Sequence, residues 1–256
     1  MFEARFASPT FLKRILESIK DLVTDANLLC TEDGMELQAM DAAHVCLISL
    51  TILADACTTY SCSQTLTLGL SITNFSKILK CVDADDSLIL TVEDGGSTLD
   101  ISAESSSGTQ TSAFSMNLMD IDADHLSIPD TAYACSVKMS SADFTKRTRD
   151  LQMFGDTCSL AVTEEALTMA VRGDLGSATV VFKAAKDPTA KDSTEVDCSE
   201  PTTLCVAIKY LVSIIKAQGL NEQVTLFLSA GTPIHIVYDM GDRGSLGFHL
   251  APKMEE

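Results

Sequence analysis

Thr31-Glu32-Asp33-Gly34-Met35-Glu36-Leu37 returns, in altered form, as Thr163-Glu164-Glu165-Ala166-Leu167-Thr168-Met169, 132 positions further on (163 minus 31). Both stretches read as a turn entering a strand. Met35, Leu37 and Ala39 alternate as Leu167, Met169 and Val171 do, the two-residue period of a half-buried strand. Working outward, the helical stretch 11–23 answers to 141–152, with Lys13-Arg14 and Lys146-Arg147 offset by 133. Phe114, Met116 and Leu118 alternate like Leu246, Phe248 and Leu250, again at 132. A long period repeated twice predicts two domains of one topology rather than a solenoid.

The expected boundaries are an N-terminal domain over 1–117, a connector over 118–133 and a C-terminal domain over 134–256. The connector is rich in Asp, contains Pro129 and reads as an extended surface loop. Strands are expected at 45–52, 88–92, 98–102, 135–139, 180–184, 224–229 and 234–238, with hairpin turns at 94–97 and 229–232. Helices are expected at 11–23, 72–82, 141–152 and 200–217, the first with Ser8-Pro9 as cap and first-turn pair. The predicted class is α+β, with antiparallel sheets and two helices per domain.

The 256 residues are 46% hydrophobic, enough for a sizeable core. No apolar run reaches the ~18–20 residues of a membrane span, and the N-terminus lacks a secretory pattern, so the chain reads as intracellular and soluble. Nine cysteines without a C-x-x-C pair read as reduced, mostly buried thiols.

Eighteen basic residues face 36 acidic ones, a net charge of -18, which excludes a uniformly basic nucleic-acid binder. The charge is unevenly placed. The four predicted helices hold ten basic and five acidic residues, leaving -23 on the rest of the chain. At ~100° per residue, Lys13 and Lys20 share a helix face, as do Lys209 and Lys216. Lys77/Lys80 and Lys146/Arg149 lie within about 60° of each other. Cationic stripes of this kind suit phosphates and read no base sequence. Apart from Tyr210, no aromatic residue in these segments is free of a buried face and there is no Trp, so a duplex is favoured over a stacked single strand.

Catalytic signatures are missing. There is no phosphate-binding loop, and Gly241-x-x-Gly244-x-x-Gly247 has the wrong spacing for a dinucleotide site. Zinc-ligand spacing is absent. Asp120-Ile-Asp122-Ala-Asp124 starts like a calcium loop but continues with His125 and Thr131 where Gly and Glu are needed. Asp83, Asp85 and Asp86 could hold Mg²⁺, yet they follow a helix as an acidic turn. The four histidines have no Ser or Cys at motif spacing. No enzyme activity and no cofactor are expected. Leu126, Ile128 and Pro129 in the acidic connector read either as a docking groove or as pins for the loop, and 250–253 as a second candidate for peptide pairing.

Met1-Phe-Glu-Ala-Arg5, Leu37-Gln-Ala-Met-Asp-x-x-His-Val45, Ser76-Lys-Ile-Leu-Lys-Cys81, Leu118-Met-Asp-Ile-Asp122, Arg149-Asp-Leu151 and Leu250-Ala-Pro-Lys253 together resemble the eukaryotic sliding clamps, the proliferating cell nuclear antigen family, over essentially the whole chain. The resemblance implies a nuclear homotrimeric ring around duplex DNA that acts as a processivity factor in replication and repair. Its DNA-facing positions carry over to Lys13, Arg14, Lys20, Lys77, Lys80, Lys146, Arg149, Lys209 and Lys216. Ring closure is implied between 109–117 of one subunit and 175–183 of the next, with Cys81, Phe114, Asp150, Phe154, Ala178 and Val180 at the junction. A groove for short peptide motifs carries over to Met40, His44, Val45, Leu126, Ile128, Pro129, Pro233, His249, Ala251 and Pro252. The implied partners are a replicative polymerase, flap endonuclease, DNA ligase and a clamp-loader ATPase, with no membrane, metal or cofactor.

Several positions depart from the family pattern. Glu164 stands where a modifiable lysine is common, His249 replaces a groove aromatic, Arg147 an apolar helix residue and Gln110 a junction lysine. The alternatives are a subunit of a heterotrimeric clamp and a peptide-docking module that forms no ring.

Overall fold

The computed structural model describes residues 1–122, 132–186 and 193–253. Leu126, Ile128, Pro129, Asp124, His125 and Thr131 lie outside the described residues. Those described fall into two compact units, one from 1–42, 48–122 and 240–246, the other from 43–47, 132–186, 193–239 and 247–253.

The first unit contains β1 (Phe2–Phe6), α1 (Thr10–Ile19), β2 (Asp25–Cys30), β3 (Gly34–Met40), most of β4 (Cys46–Leu53), β5 (Thr59–Cys62), β6 (Leu66–Ser71), α2 (Ile72–Lys80), β7 (Ser87–Val92), β8 (Thr98–Glu104) and β9 (Thr111–Asn117). The second contains β10 (Cys135–Ser140), α3 (Ser141–Gln152), β11 (Thr157–Thr163), β12 (Ala166–Gly173), β13 (Gly176–Lys183), β14 (Glu195–Cys198), β15 (Thr202–Ala207), α4 (Ile208–Ile214), β16 (Gln223–Leu228), β17 (Ile234–Asp239) and part of β18 (Gly244–Leu250).

Strand order shows the duplication. The first unit has layers β5-β1-β7-β8-β9 and β4-β3-β2-β6; the second has β14-β10-β16-β17-β18 and β13-β12-β11-β15. Adding nine to each strand number of the first unit gives the second. The pairing is antiparallel, so one face of each strand can be buried and the other left polar. β7 shows this cleanly: Leu88, Leu90 and Val92 are buried while Ser87, Ile89 and Thr91 are half-exposed.

The helices close the apolar faces. Leu12, Ile15, Leu16 and Ile19 of α1 and Ile72, Phe75 and Leu79 of α2 are buried, and α1 packs on α2, which rests on β2 and β6. α3 is less apolar. It buries Phe144 and Leu151 together with Ser141, Thr145 and Thr148, against α4 and strands β10, β12, β13 and β16.

Three expectations are corrected. The predicted helix 200–217 is two elements: Thr202–Ala207 is β15, paired in register with β11, and the helix begins only at Ile208. Thr202-Thr203-Leu204-Cys205-Val206 alternates and is β-branched, so the strand period prevails. From Ile215 to Leu220 the α-helix tightens to a 3-10 helix, so Lys216 stands on this segment and Lys209 on α4. Finally, α1 starts at Thr10, with Pro9 at the cap position; Ser8 Oγ accepts the Thr10 N–H at 3.2 Å, and Lys20 is already the C-cap.

All nine cysteines are free thiols; 30, 46, 135, 158 and 198 are buried and only Cys81 is exposed. Burial pushes the Cys30 and Cys158 thiols up to about 12, so these groups pack as small apolar residues. Among the described residues no helix is long and apolar enough to cross a membrane.

Candidate DNA-facing and partner-docking surfaces

In the first unit the cations stand on α1 and α2 opposite the buried stripes. Arg14, Lys77 and Lys80 are exposed, and Lys13 and Lys20 are half-buried. The Lys13 ammonium donates to the Val82 carbonyl just beyond α2, where unpaired carbonyls carry partial negative charge. Glu17 lies between the helices. Its carboxylate is 2.6 Å from Lys20 Nζ and 3.2 Å from Lys80 Nζ. The Lys20 hydrogen bond, helped by Lys80, holds the Glu17 carboxyl below the usual range, and the same bond raises Lys20.

In the second unit Lys146 and Arg149 are exposed on α3. Arg147 is drawn back along its own helix to Asp150, 3.3 Å away. Lys216 is exposed on the 3-10 segment. Lys209, exposed in the first turn of α4, holds its ammonium 5.1 Å from the centre of the Tyr210 ring. Tyr210 itself is buried and offers no ring for base stacking, whereas Phe11, expected on a buried face, is half-buried on α1 with the Arg243 guanidinium 4.9 Å from its ring centre.

Three of the six proposed junction residues sit on two sheet edges. β9 ends the order β5-β1-β7-β8-β9 and carries a half-buried Phe114; β13 ends the order β13-β12-β11-β15 and carries half-buried Ala178 and Val180. Phe154 is half-buried just after α3, Asp150 is exposed, and Cys81 is the exposed C-cap of α2. Met153, Leu175 and Val181 are 74%, 70% and 49% exposed. These three large apolar residues were not singled out from the sequence. Their signal was apolar character at positions the strand and helix periods turn outward.

Of the groove residues, His44, Val45, Pro233, His249, Ala251 and Pro252 belong to the second unit and Met40 to the first; Val45, Ala251 and Pro252 line one cavity. A cavity of about 520 Å³ is lined by Ala43, Val45, Ala207, Lys209, Tyr210, Ala251 and Pro252, with Asp156 and Lys253 at its polar side. His44 has φ +56°, a left-handed backbone that His tolerates better than most residues, and it is exposed. The Ala251 N–H donates to Val45 O at 2.9 Å, and the Lys253 N–H to Cys205 O at 2.7 Å. Residues 250–253 are a second candidate for peptide pairing, and these two of their donors are used within the chain.

His249 stacks on His235, with ring centres 3.9 Å apart and planes 11° from parallel. His235 in turn stacks on Phe227, its register partner on β16, and both approach Tyr133. Burial first, and the neighbouring imidazole second, hold His235 down at about 4; burial also lowers His249. Both rings are therefore neutral near pH 7. His235 was missed because its partner in the stack is set by strand pairing, which a single sequence does not display.

At the acidic turn, the Asp86 carboxylate accepts the Asp83 N–H at 3.2 Å, ordinary turn chemistry.

The profile for the proliferating cell nuclear antigen N-terminal domain matches residues 1–126, and that for the C-terminal domain matches 127–253. The proliferating cell nuclear antigen of Dictyostelium discoideum is 40% identical to this chain over 258 aligned positions, covering 100% of both. Duplicated antiparallel units, helices that carry the cations and a match along the whole length agree: the chain belongs to the proliferating cell nuclear antigen family, the DNA sliding clamps that act as processivity factors in replication and repair.

Proposed function

We propose that three copies of this chain close head to tail into a ring around duplex DNA. The observation that carries this reading is the pair of edge strands. β9 of the first unit and β13 of the second each leave one side unpaired within the described chain. An edge in each unit, on opposite halves of one chain, is what a heterologous contact needs, and closure of the cycle removes edges that invite aggregation. Phe114, Ala178, Val180, Phe154, Asp150 and Cys81 line the proposed junction, with the exposed Met153 and Leu175 adding apolar area.

Lys13, Arg14, Lys20, Lys77, Lys80, Lys146, Arg149, Lys209 and Lys216 face the phosphates. The body carries the rest of the -18 charge and repels DNA from its outside. Phosphate contacts without base readout are weak, salt-dependent and exchangeable, so the ring slides, while its closure prevents escape. Retention on DNA then depends on topology rather than affinity. Met40, His44, Val45, Leu126, Ile128, Pro129, Pro233, His249, Ala251 and Pro252 receive the short apolar and aromatic motifs of a replicative polymerase, flap endonuclease and DNA ligase. A clamp-loader ATPase opens the ring. The clamp works in the nucleus, catalyses nothing and needs no cofactor.

The test is the native mass by light scattering across a range of concentrations. The expected value is about 82 kDa, three times the 27.4 kDa chain. A persistent 27.4 kDa species would instead indicate a clamp that needs other subunits, or a docking module that forms no ring.

A further inference from the structure

Glu17 is the one acidic residue within the two helices of the first unit, and it is aimed at two of their cations. Its Oε2 lies 2.6 Å from Lys20 Nζ and its Oε1 3.2 Å from Lys80 Nζ. The two lysines come from different helices, so the carboxylate ties the end of α1 to the end of α2. Ser76 Oγ on α2 donates to the same Oε1 at 3.4 Å, which fixes the carboxylate from a third side. Lys20 is the more committed of the two: its side chain is only 25% exposed, against 62% for Lys80.

A phosphate oxygen and a carboxylate oxygen compete for the same ammonium protons. A lysine held by Glu17 therefore has to exchange one anion for another when DNA arrives, and gains little by it. We propose that Glu17 is a built-in competitor for the DNA phosphates, a positioning residue that holds Lys20 and Lys80 in place and caps how tightly this surface grips a duplex. The inference rests on the DNA-facing reading of those two lysines. Its physical sense is that a clamp that slides needs contacts that break easily, and an internal counter-ion weakens them without removing the charge that attracts DNA.

The experiment uses the full-length protein and a fluorescent duplex of about 30 base pairs, with anisotropy followed from 200 to 50 mM salt. Each further phosphate neutralised steepens log K against log salt by ~0.9, so over that fourfold dilution Glu17→Gln should gain about 3.5-fold more affinity than wild type for every lysine released. The same substitution is then made in a Lys20→Gln/Lys80→Gln background. If Glu17 acts through these lysines, its extra salt dependence shrinks there. An equal effect in both backgrounds would mean that Glu17 is only a nearby negative charge, and would overturn the proposal. An unchanged slope in Glu17→Gln, with Lys20→Gln/Lys80→Gln still weakening binding, would overturn it too. If Lys20→Gln/Lys80→Gln itself leaves binding and slope unchanged, the DNA-facing reading of those residues fails, which is a separate result.

Discussion

At the scale of single residues, the candidate DNA-facing cations differ in how their side chains are partnered. Lys13, Lys20 and Arg147 all carry positive charge, yet one is held by a carbonyl, one by Glu17 and one by Asp150. The charge could be counted from the sequence; its engagement could not, because Val82 meets Lys13 only through tertiary packing and the i,i+3 pairs of Lys20 with Glu17 and of Arg147 with Asp150 depend on rotamers. The stacked imidazoles make the same point and support a prediction. His235 ionises at about 4 in the folded chain, because it is buried among rings and lies against His249. The unfolded chain takes up that proton near 6.5. Between these values the unfolded state binds more protons, so the contribution to stability is whole above 6.5 and is lost as pH falls towards 4. Discounted for the partial exposure of the ring, the loss is on the order of 1–2 kcal/mol. Urea unfolding of wild type and His235→Leu at pH 7 and 4.5 checks it: the acid-induced loss should be smaller in the variant. Parallel loss in both proteins would show that the imidazole stack does not contribute.

At the scale of elements, strands with clean alternation were legible and so were their hairpin turns, since a two-residue period with Gly at the turn leaves few alternatives. Thr202–Ala207 was misread because it runs straight into α4 with no turn residue between, and the apolar stretch 204–215 fits either period over a short window. The junction at Ala207 is where one chain direction serves both a sheet and a helix. β10 meets α3 in the same way, without a loop, and there the sequence supplies a cap. Ser140 Oγ accepts the Asp143 N–H at 3.3 Å, satisfying a donor that the helix cannot. α3 depends on this more than α1 does, because it buries hydroxyls beside Phe144 and Leu151 where α1 buries four apolar side chains. Ser140→Ala should cost about 0.5–1 kcal/mol, at the low end for a cap because the bond is long. The shift in urea midpoint reads this directly. An unchanged midpoint would assign the helix start to packing alone. Since Lys146 and Arg149 lie beyond the first turn of α3, fraying there should leave their placement intact.

At the scale of the whole molecule, the duplication was the most legible feature. It appears as a 132-residue echo in the sequence and as two identical strand orders in the structure. The proposed assembly rests on the resemblance and on the edge strands, since no periodicity within one chain says which edge meets which. The edges share an alternation that makes closure testable. β13 alternates half-buried Ala178, Val180 and Phe182 with exposed positions. β9 does so with Ser112 and Phe114. A charge on the half-buried face of either strand would have to enter the proposed junction without a partner, at a cost of several kcal/mol. Val180→Asp should therefore convert a species of about three chain masses into one of 27.4 kDa, while the fold of each unit persists by circular dichroism. Val181→Asp, one residue along and 49% exposed, points to the other face and should be milder. Lys77→Glu is the counterpart: it should leave the mass at the trimer value and impair loading and sliding on DNA. The three variants separate closure from grip. If Val180→Asp stays trimeric, the β13 edge is not the seam. If Lys77→Glu retains DNA like wild type after loading, the helix cations do not steer the duplex, and retention is owed to the closed ring alone.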